Sequence, residues 1–348
     1  MKTKIKIKES IYILREDENI YQVLFTSTRR IKRIRMNDLG KDLIEKIKTE
    51  NNPDNIINQL EHKYKREDIE SSIDQLETLG ILRSYNGDAL ESRFSRQIFF
   101  IDELTDSWEQ TLNIQNKLKN TAISVFGIGG IGTWIVNGLY QIGIGSLKLS
   151  DPDVVNRSNL NRQLYFSLED VGSYKVDVIK RKIPNANIFV YKKILSSEED
   201  LEEIIRGSDF LVNCADSPSI ADTTKILDDY ARKYNIPYCI AGGYNLHLGM
   251  VGPIIVPGKT ACFDCFLEYQ KENDPLKDLE LVKDIEQTGS LGPIAGAVAN
   301  LQVMEIFKYL INKGSINLNK FAEIDFMNFN VEWRKFSKRE DCINCMGI

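Results

Sequence analysis

Hydrophobic and polar positions divide the chain into two stretches with different rhythms. From residue 121 onward, short apolar runs alternate with amphipathic segments: a strand at 121–126, a helix at 131–142, a strand at 147–149 and a basic helix at 173–182. The alternation continues with a strand at 188–191, a helix at 199–206, a strand at 209–213, a helix at 219–233 and a strand at 237–241. Strands separated by helical crossovers predict a parallel α/β sheet. Residues 248–256, bounded by Gly249, Pro253 and Pro257, read as an antiparallel continuation. Residues 270–290 are polar without an apolar period and read as a lid, a substrate loop or disorder. An apolar helix, expected in the core, follows from Gly292-Pro293 to about Asn312.

Residues 1–88 form a separate pattern. Three short strands (5–13, 21–25 and 31–35) precede helices near 38–50, 53–62 and 66–79, and Gly80-Ile81-Leu82 closes the last helix. Turn residues Asn86-Gly87-Asp88 mark the boundary, giving domains at 1–88 and 89–348. The first reads as a small winged-helix-like α+β unit. The basic run Arg29-Arg30-Ile31-Lys32-Arg33-Ile34-Arg35 invites a DNA-binding reading. Glu67, Asp68, Glu70, Asp74 and Glu77 on the third helix oppose it, because a recognition helix of that charge repels phosphates.

The 348 residues, 42% of them hydrophobic, suffice for more than one core. A net charge of −5 gives no reason to expect a nucleic acid partner. No apolar run approaches membrane-spanning length, and the lysine-rich residues 2–8 lead into Glu9-Ser10 rather than an apolar signal core. These features predict a cytoplasmic protein.

The chemistry centres on Gly127-x-Gly129-Gly130-x-Gly132, between a strand and a helix. Such a turn brings backbone N–H groups and a helix N-terminus to a phosphate. Asp151, 24 positions after Gly127, fits the carboxylate that holds a ribose hydroxyl. That much also suits a nicotinamide dehydrogenase. Arg162 and Lys175 do not, since a redox site needs no such cations, whereas a triphosphate undergoing transfer does.

Four of the six cysteines form two pairs, Cys262-x-x-Cys265 and Cys342-x-x-Cys345. Two such pairs can converge tetrahedrally on zinc with no position left for water, which makes the metal structural. Cys214 and Cys239 sit in apolar strands and read as small core residues rather than nucleophiles. His62 and His247 form no persuasive acid–base pair.

The glycine motif, Asp151-Pro152-Asp153-x-Val155, Asn159-Leu160-x-Arg162-Gln163, Val171-Gly172-x-x-Lys175 and Cys214-Ala215-Asp216 stand in one order over residues 92–348. In this the chain resembles the ubiquitin-activating-enzyme-like adenylating family, which includes ThiF-, MoeB- and MccB-type enzymes. The resemblance implies a Rossmann-like, doubly wound sheet and Mg-ATP-dependent formation of an acyl-adenylate on a peptide or small protein. It implies that Gly127, Gly129, Gly130, Gly132, Asp151, Asn159 and Gln163 bind ATP, that Arg162 and Lys175 act on the phosphates, and that Asp216 binds Mg²⁺. The segment Arg93-Phe94-Ser95-Arg96-Gln97 matches one whose second arginine reaches the ATP of the other subunit, so Arg96 and a homodimer are expected. Cysteine is absent between Cys265 and Cys342, so a thioester step on a loop at 267–291 is not expected. Residues 1–88 resemble the PqqD-like leader-peptide recognition domain, through Met36-Asn37-Asp38-Leu39-Gly40 and Leu76-x-x-Leu79-Gly80-Ile81-Leu82. That resemblance implies a precursor peptide bound beside the third strand and third helix. The sequence around Met250-Val251-Gly252-Pro253 and Lys259-Thr260-x-Cys262 is most similar to peptide-modifying, MccB-like members. Activation of a ubiquitin-like sulfur carrier, or a non-catalytic peptide scaffold, are the other readings.

Overall fold

The structure, a computed structural model, describes residues 4–85, 92–195, 198–280, 282–283 and 289–346. These form two compact units, Met1–Asn116 and Lys117–Ile348. The turn at Asn86-Gly87-Asp88 lies outside the described residues.

In the first unit, β1 (Lys4–Ile7), β2 (Ile11–Arg15), β3 (Ile20–Phe25) and β4 (Arg30–Arg35) precede α1 (Asp38–Ile47), α2 (Pro53–Leu60) and α3 (Arg66–Thr78). Then come β5 (Leu82–Tyr85), α4 (Ser95–Asp102) and α5 (Trp108–Asn120). The single strand expected at 5–13 is two, because Glu9-Ser10 turns the chain. β1 pairs antiparallel with β5, while β2, β3 and β4 form an antiparallel meander. Local signals start the helices: the Asn37 side chain accepts the Gly40 N–H at 2.8 Å, and Asn52 caps α2 ahead of Pro53. Their apolar faces close on Val23, Leu43, Ile56, Ile69 and Leu82, all but inaccessible to solvent. β4 is the edge strand of its sheet and presents Arg30, Lys32, Arg33 and Arg35.

The second unit begins with β6 (Ala122–Phe126), α6 (Gly132–Gln141), β7 (Ser146–Ser150), α7 (Lys175–Lys182) and β8 (Ile188–Tyr191). It continues with α8 (Glu198–Ile205), β9 (Phe210–Asn213), α9 (Ile220–Tyr234) and β10 (Tyr238–Ile240), then β11 (Tyr244–Asn245), β12 (Leu248–Val251) and β13 (Ile254–Ile255). The remainder is α10 (Phe263–Glu272), α11 (Gly292–Ile311), β14 (Lys320–Asp325), β15 (Asn330–Lys335) and α12 (Ile343–Met346). Six strands lie in the order β13-β10-β9-β6-β7-β8, parallel except for β13. The chain leaves β6 toward β7 and β8, then crosses back to β9 and β10. The switch point therefore falls between the carboxyl ends of β6 and β9, where open α/β sheets bind ligands.

Two expectations need correction. The run 248–256 is not one strand: β12 joins β11, β14 and β15 in a second, antiparallel sheet, and only β13 extends the main one. The break falls at Gly252, whose backbone N–H donates to Gln302 Oε1 at 2.8 Å. A Cβ there would lie 1.8 Å from the Ile240 carbonyl oxygen. The polar stretch 270–290 begins inside α10, which buries Phe263, Cys265 and Phe266; residues 281 and 284–288 lie outside the described residues. Apolar length needs a further correction: against the expectation from the sequence, one helix among the described residues, α11, is long and apolar enough to cross a membrane by length and composition. It packs within this unit, burying Ala295, Val298, Ala299 and Ile306.

Candidate active site and metal centre

At the end of β6 the backbone turns at Gly127, whose φ of +84° favours glycine. A Cβ there would lie 2.6 Å from the Ala215 nitrogen, so β6 and the segment after β9 meet backbone to backbone. Gly132 is required for another close approach: its Cβ would lie 2.0 Å from the Gly127 oxygen. Around Gly129, by contrast, a Cβ would meet nothing within 4 Å. That bare stretch, just ahead of α6, is where a phosphate could approach the backbone.

Asp151 follows β7 and is 5% exposed. One carboxylate oxygen accepts the Ile128 N–H at 2.5 Å and the other the Asp153 N–H at 2.8 Å. Burial raises its pKa; Lys175 and the two N–H donors oppose that rise. The Lys175 ammonium, also buried, lies 3.9 Å from Asp151 and 2.7 Å from Asp153. A cavity of about 140 Å³ opens beside these groups, lined by Gly127, Asp151, Asp153, Lys193 and Asp216. Asp216 is exposed at its edge and has no ion pair among the described residues.

Asn159 sits in a short 3₁₀ turn and accepts the Asn156 N–H at 2.9 Å, leaving its NH₂ for other partners. Arg162 is braced by the Ser158 carbonyl at 2.6 Å and Asn161 Oδ1 at 3.1 Å. The buried Gln163 side-chain oxygen has no hydrogen-bond partner among the described residues. Thus Gly127, Asp151, Lys175 and Asp216 gather at the switch point, and Arg162 lies beside Gly130. Arg96 stands exposed on α4 in the first unit. Asp153 belongs to the Asp151 motif but receives no role from it, and Tyr244 is a neighbour that motif reading passes over. The available signal for Tyr244 is Gly242-Gly243 just after β10, again at a carboxyl strand end.

Cys262 and Cys265 open α10, and Cys342 and Cys345 lie at the short α12 turn. The four sulfurs all fall within 4.8 Å of one another, with Cys262–Cys342 at 3.4 Å, Cys265–Cys345 at 3.7 Å and Cys262–Cys265 at 3.8 Å. Tetrahedral zinc with sulfur at about 2.3 Å requires S···S spacings of about 3.8 Å. The cluster fits a zinc ion in a closed site. Burial pushes the Cys262 thiol up, so a compensating cation is what would hold it as thiolate. Burial likewise pushes up the thiols of the half-buried Cys214 and the fully buried Cys239, which disfavours the reactive thiolate.

Residues 94–345 match the ThiF family. The chain belongs to the ThiF family. Among relatives, it is 28% identical to the SAMP-activating enzyme E1 of Haloferax volcanii over 234 residues, which is 66% of this chain and 82% of that protein. It is 27% identical to the sulfur carrier protein ThiS adenylyltransferase of Escherichia coli over 224 residues, 63% of this chain and 80% of that one. In fold it resembles E. coli MccB solved with AMPCPP and MccA: TM-score 0.71, 22% identity, covering 98% of this chain and 99% of MccB. This ThiF-family protein is an ATP-dependent adenylyltransferase.

Proposed function

We propose that this adenylyltransferase activates a carboxyl group of a ribosomally made precursor peptide whose leader is held by the N-terminal unit. The observation that carries this reading is a groove of about 590 Å³ between β4 and α3, lined by Ile34, Arg35, Met36, Gln75, Leu76 and Leu79. Beside it β4 is a sheet edge, able to accept an added strand through main-chain hydrogen bonds. Exposed Arg30 and Arg35 favour acidic side chains in that strand.

At the nucleotide site, Gly127, Gly129, Gly130 and Gly132 admit the phosphates to the start of α6, and Asp151 takes the ribose hydroxyls. Asn159, Arg162 and Gln163 orient the phosphates, the two amides by donating from their NH₂ groups. A peptide carboxylate oxygen bonds to the α-phosphorus as the bond to pyrophosphate breaks. No proton moves, since the carboxylate is already ionised. Lys175 balances the charge that builds on the phosphates. Asp216, the uncommitted carboxylate at the cavity, would hold Mg²⁺, which when bound neutralises the departing pyrophosphate. The four cysteines would hold zinc as a structural staple. Arg96 would serve the ATP of a second copy in a homodimer, in the cytoplasm.

A sulfur-carrier substrate is the second reading, favoured by the two curated relatives, which are named for SAMP activation and for ThiS adenylylation. ATP–pyrophosphate exchange by the full chain separates the two. Short peptides encoded beside this gene should support exchange, with Arg35→Glu raising the peptide KM. Exchange driven by a Gly-Gly-terminated carrier such as ThiS, and by none of the peptides, would overturn the peptide reading.

A further inference from the structure

The glycine turn has a neighbour that the roles above leave unused. A Cβ on Gly130 would lie 3.3 Å from the Tyr244 hydroxyl and 3.6 Å from Arg162 Nε. A phenol and a guanidinium therefore flank the same bare backbone ahead of α6. Tyr244 comes from β11 and is half-buried, and its hydroxyl is 2.7 Å from Ser290 Oγ. Ser290 is itself fixed: its carbonyl accepts from Asn161 Nδ2 at 3.2 Å. Two residues on, Gly292 approaches so closely that a Cβ would lie 2.6 Å from the Asn161 oxygen.

We propose that the Tyr244 hydroxyl is a further phosphate-contacting group of the nucleotide site, with Ser290 as its positioning residue. This rests on the adenylation reading and extends it. A phenol has one proton to donate and lone pairs to accept with. When Ser290 donates to Tyr244, the Tyr244 proton is free for a phosphate oxygen over Gly130, beside the Arg162 guanidinium. Hydrogen bonds to charged groups are the strong ones, so one donor here counts.

The test is displacement of mant-ATP from the full chain, with Mg²⁺, by ATP, ADP, AMP and adenosine. Tyr244→Phe should weaken ATP about tenfold and leave adenosine unchanged, and the shortest nucleotide to show the loss identifies the phosphate. Ser290→Ala should weaken ATP less, Ser290→Thr should restore it, and Ser290→Ala added to Tyr244→Phe should do no further harm. Equal weakening of ATP and adenosine would mean that the phenol only packs, and unchanged ATP affinity would mean that it touches no phosphate; either overturns the proposal. Wild-type protein that fails to bind mant-ATP would instead overturn the adenylation reading, and the proposal with it.

Discussion

Asp151 accepts the Ile128 backbone N–H at 2.5 Å, so the carboxylate assigned to the ribose also holds the glycine turn against the end of β7. Its second oxygen is committed to the Asp153 N–H. Asp151→Asn keeps one acceptor oxygen and puts an NH₂ where the other stood. One buried N–H is then orphaned, at a cost of about 1–3 kcal/mol. Urea unfolding should show that loss, and mant-ATP affinity should fall with it. Full stability in Asp151→Asn would show that the turn stands without the tether.

Asp216→Ala should leave the fold unchanged, because the side chain is exposed and has no ion pair among the described residues. Exchange activity should drop by roughly a thousandfold, and the Mg²⁺ concentration giving half-maximal rate should rise. An unaltered Mg²⁺ dependence would remove this residue from metal binding.

Cys262→Ser removes one of four converging sulfurs. Metal analysis of the wild type should find about one zinc per chain, and of the variant almost none. Loss of a structural metal is among the few single changes expected to exceed about 4 kcal/mol. A wild type free of metal, yet stable under chelation, would refute the staple.

Asp170 supplies a pH signature. Burial alone would raise its pKa, but the Ser167 hydroxyl and N–H together with Lys182 outweigh that and hold it at about 2. A carboxyl depressed in the folded state stabilises it fully above the unfolded value near 4, and that stability is lost as pH falls toward 2. Asp170→Asn should therefore cost on the order of 2 kcal/mol at pH 7 and about a third of that near pH 2.5, by urea titration at both. Equal costs at the two pH values would assign the effect to shape rather than charge.

The glycine spacing, the acid after β7 and the cysteine pairs were legible because each is dictated by local chemistry: a turn with no room for Cβ, a carboxylate at a strand end, sulfurs at one-turn spacing. The two sheets were not. Leu248 and Ile255 look alike as apolar strand residues, yet they lie in different sheets, and the break falls at Gly252, which is held by Gln302 from 50 residues away. The helix α10 hid for a related reason. Its buried Phe263 and Phe266 face an aromatic cluster with Phe321 and Phe336 that lies far off in sequence, and its exposed face is charged enough to pass for a loop. Tyr244 was harder to read because its place beside Gly130 is set by space rather than spacing, and Gly242-Gly243 at a strand end is the one local sign of it.

The cysteine cluster has a temporal side. Cys265 emerges from the ribosome 80 residues before Cys345, its partner in the cluster. Until that second pair is made, half a ligand set waits open on nascent α10, and β14 and β15 have no staple behind them. A metal at this cluster would therefore be captured late, only after Cys342 and Cys345 have joined Cys262 and Cys265.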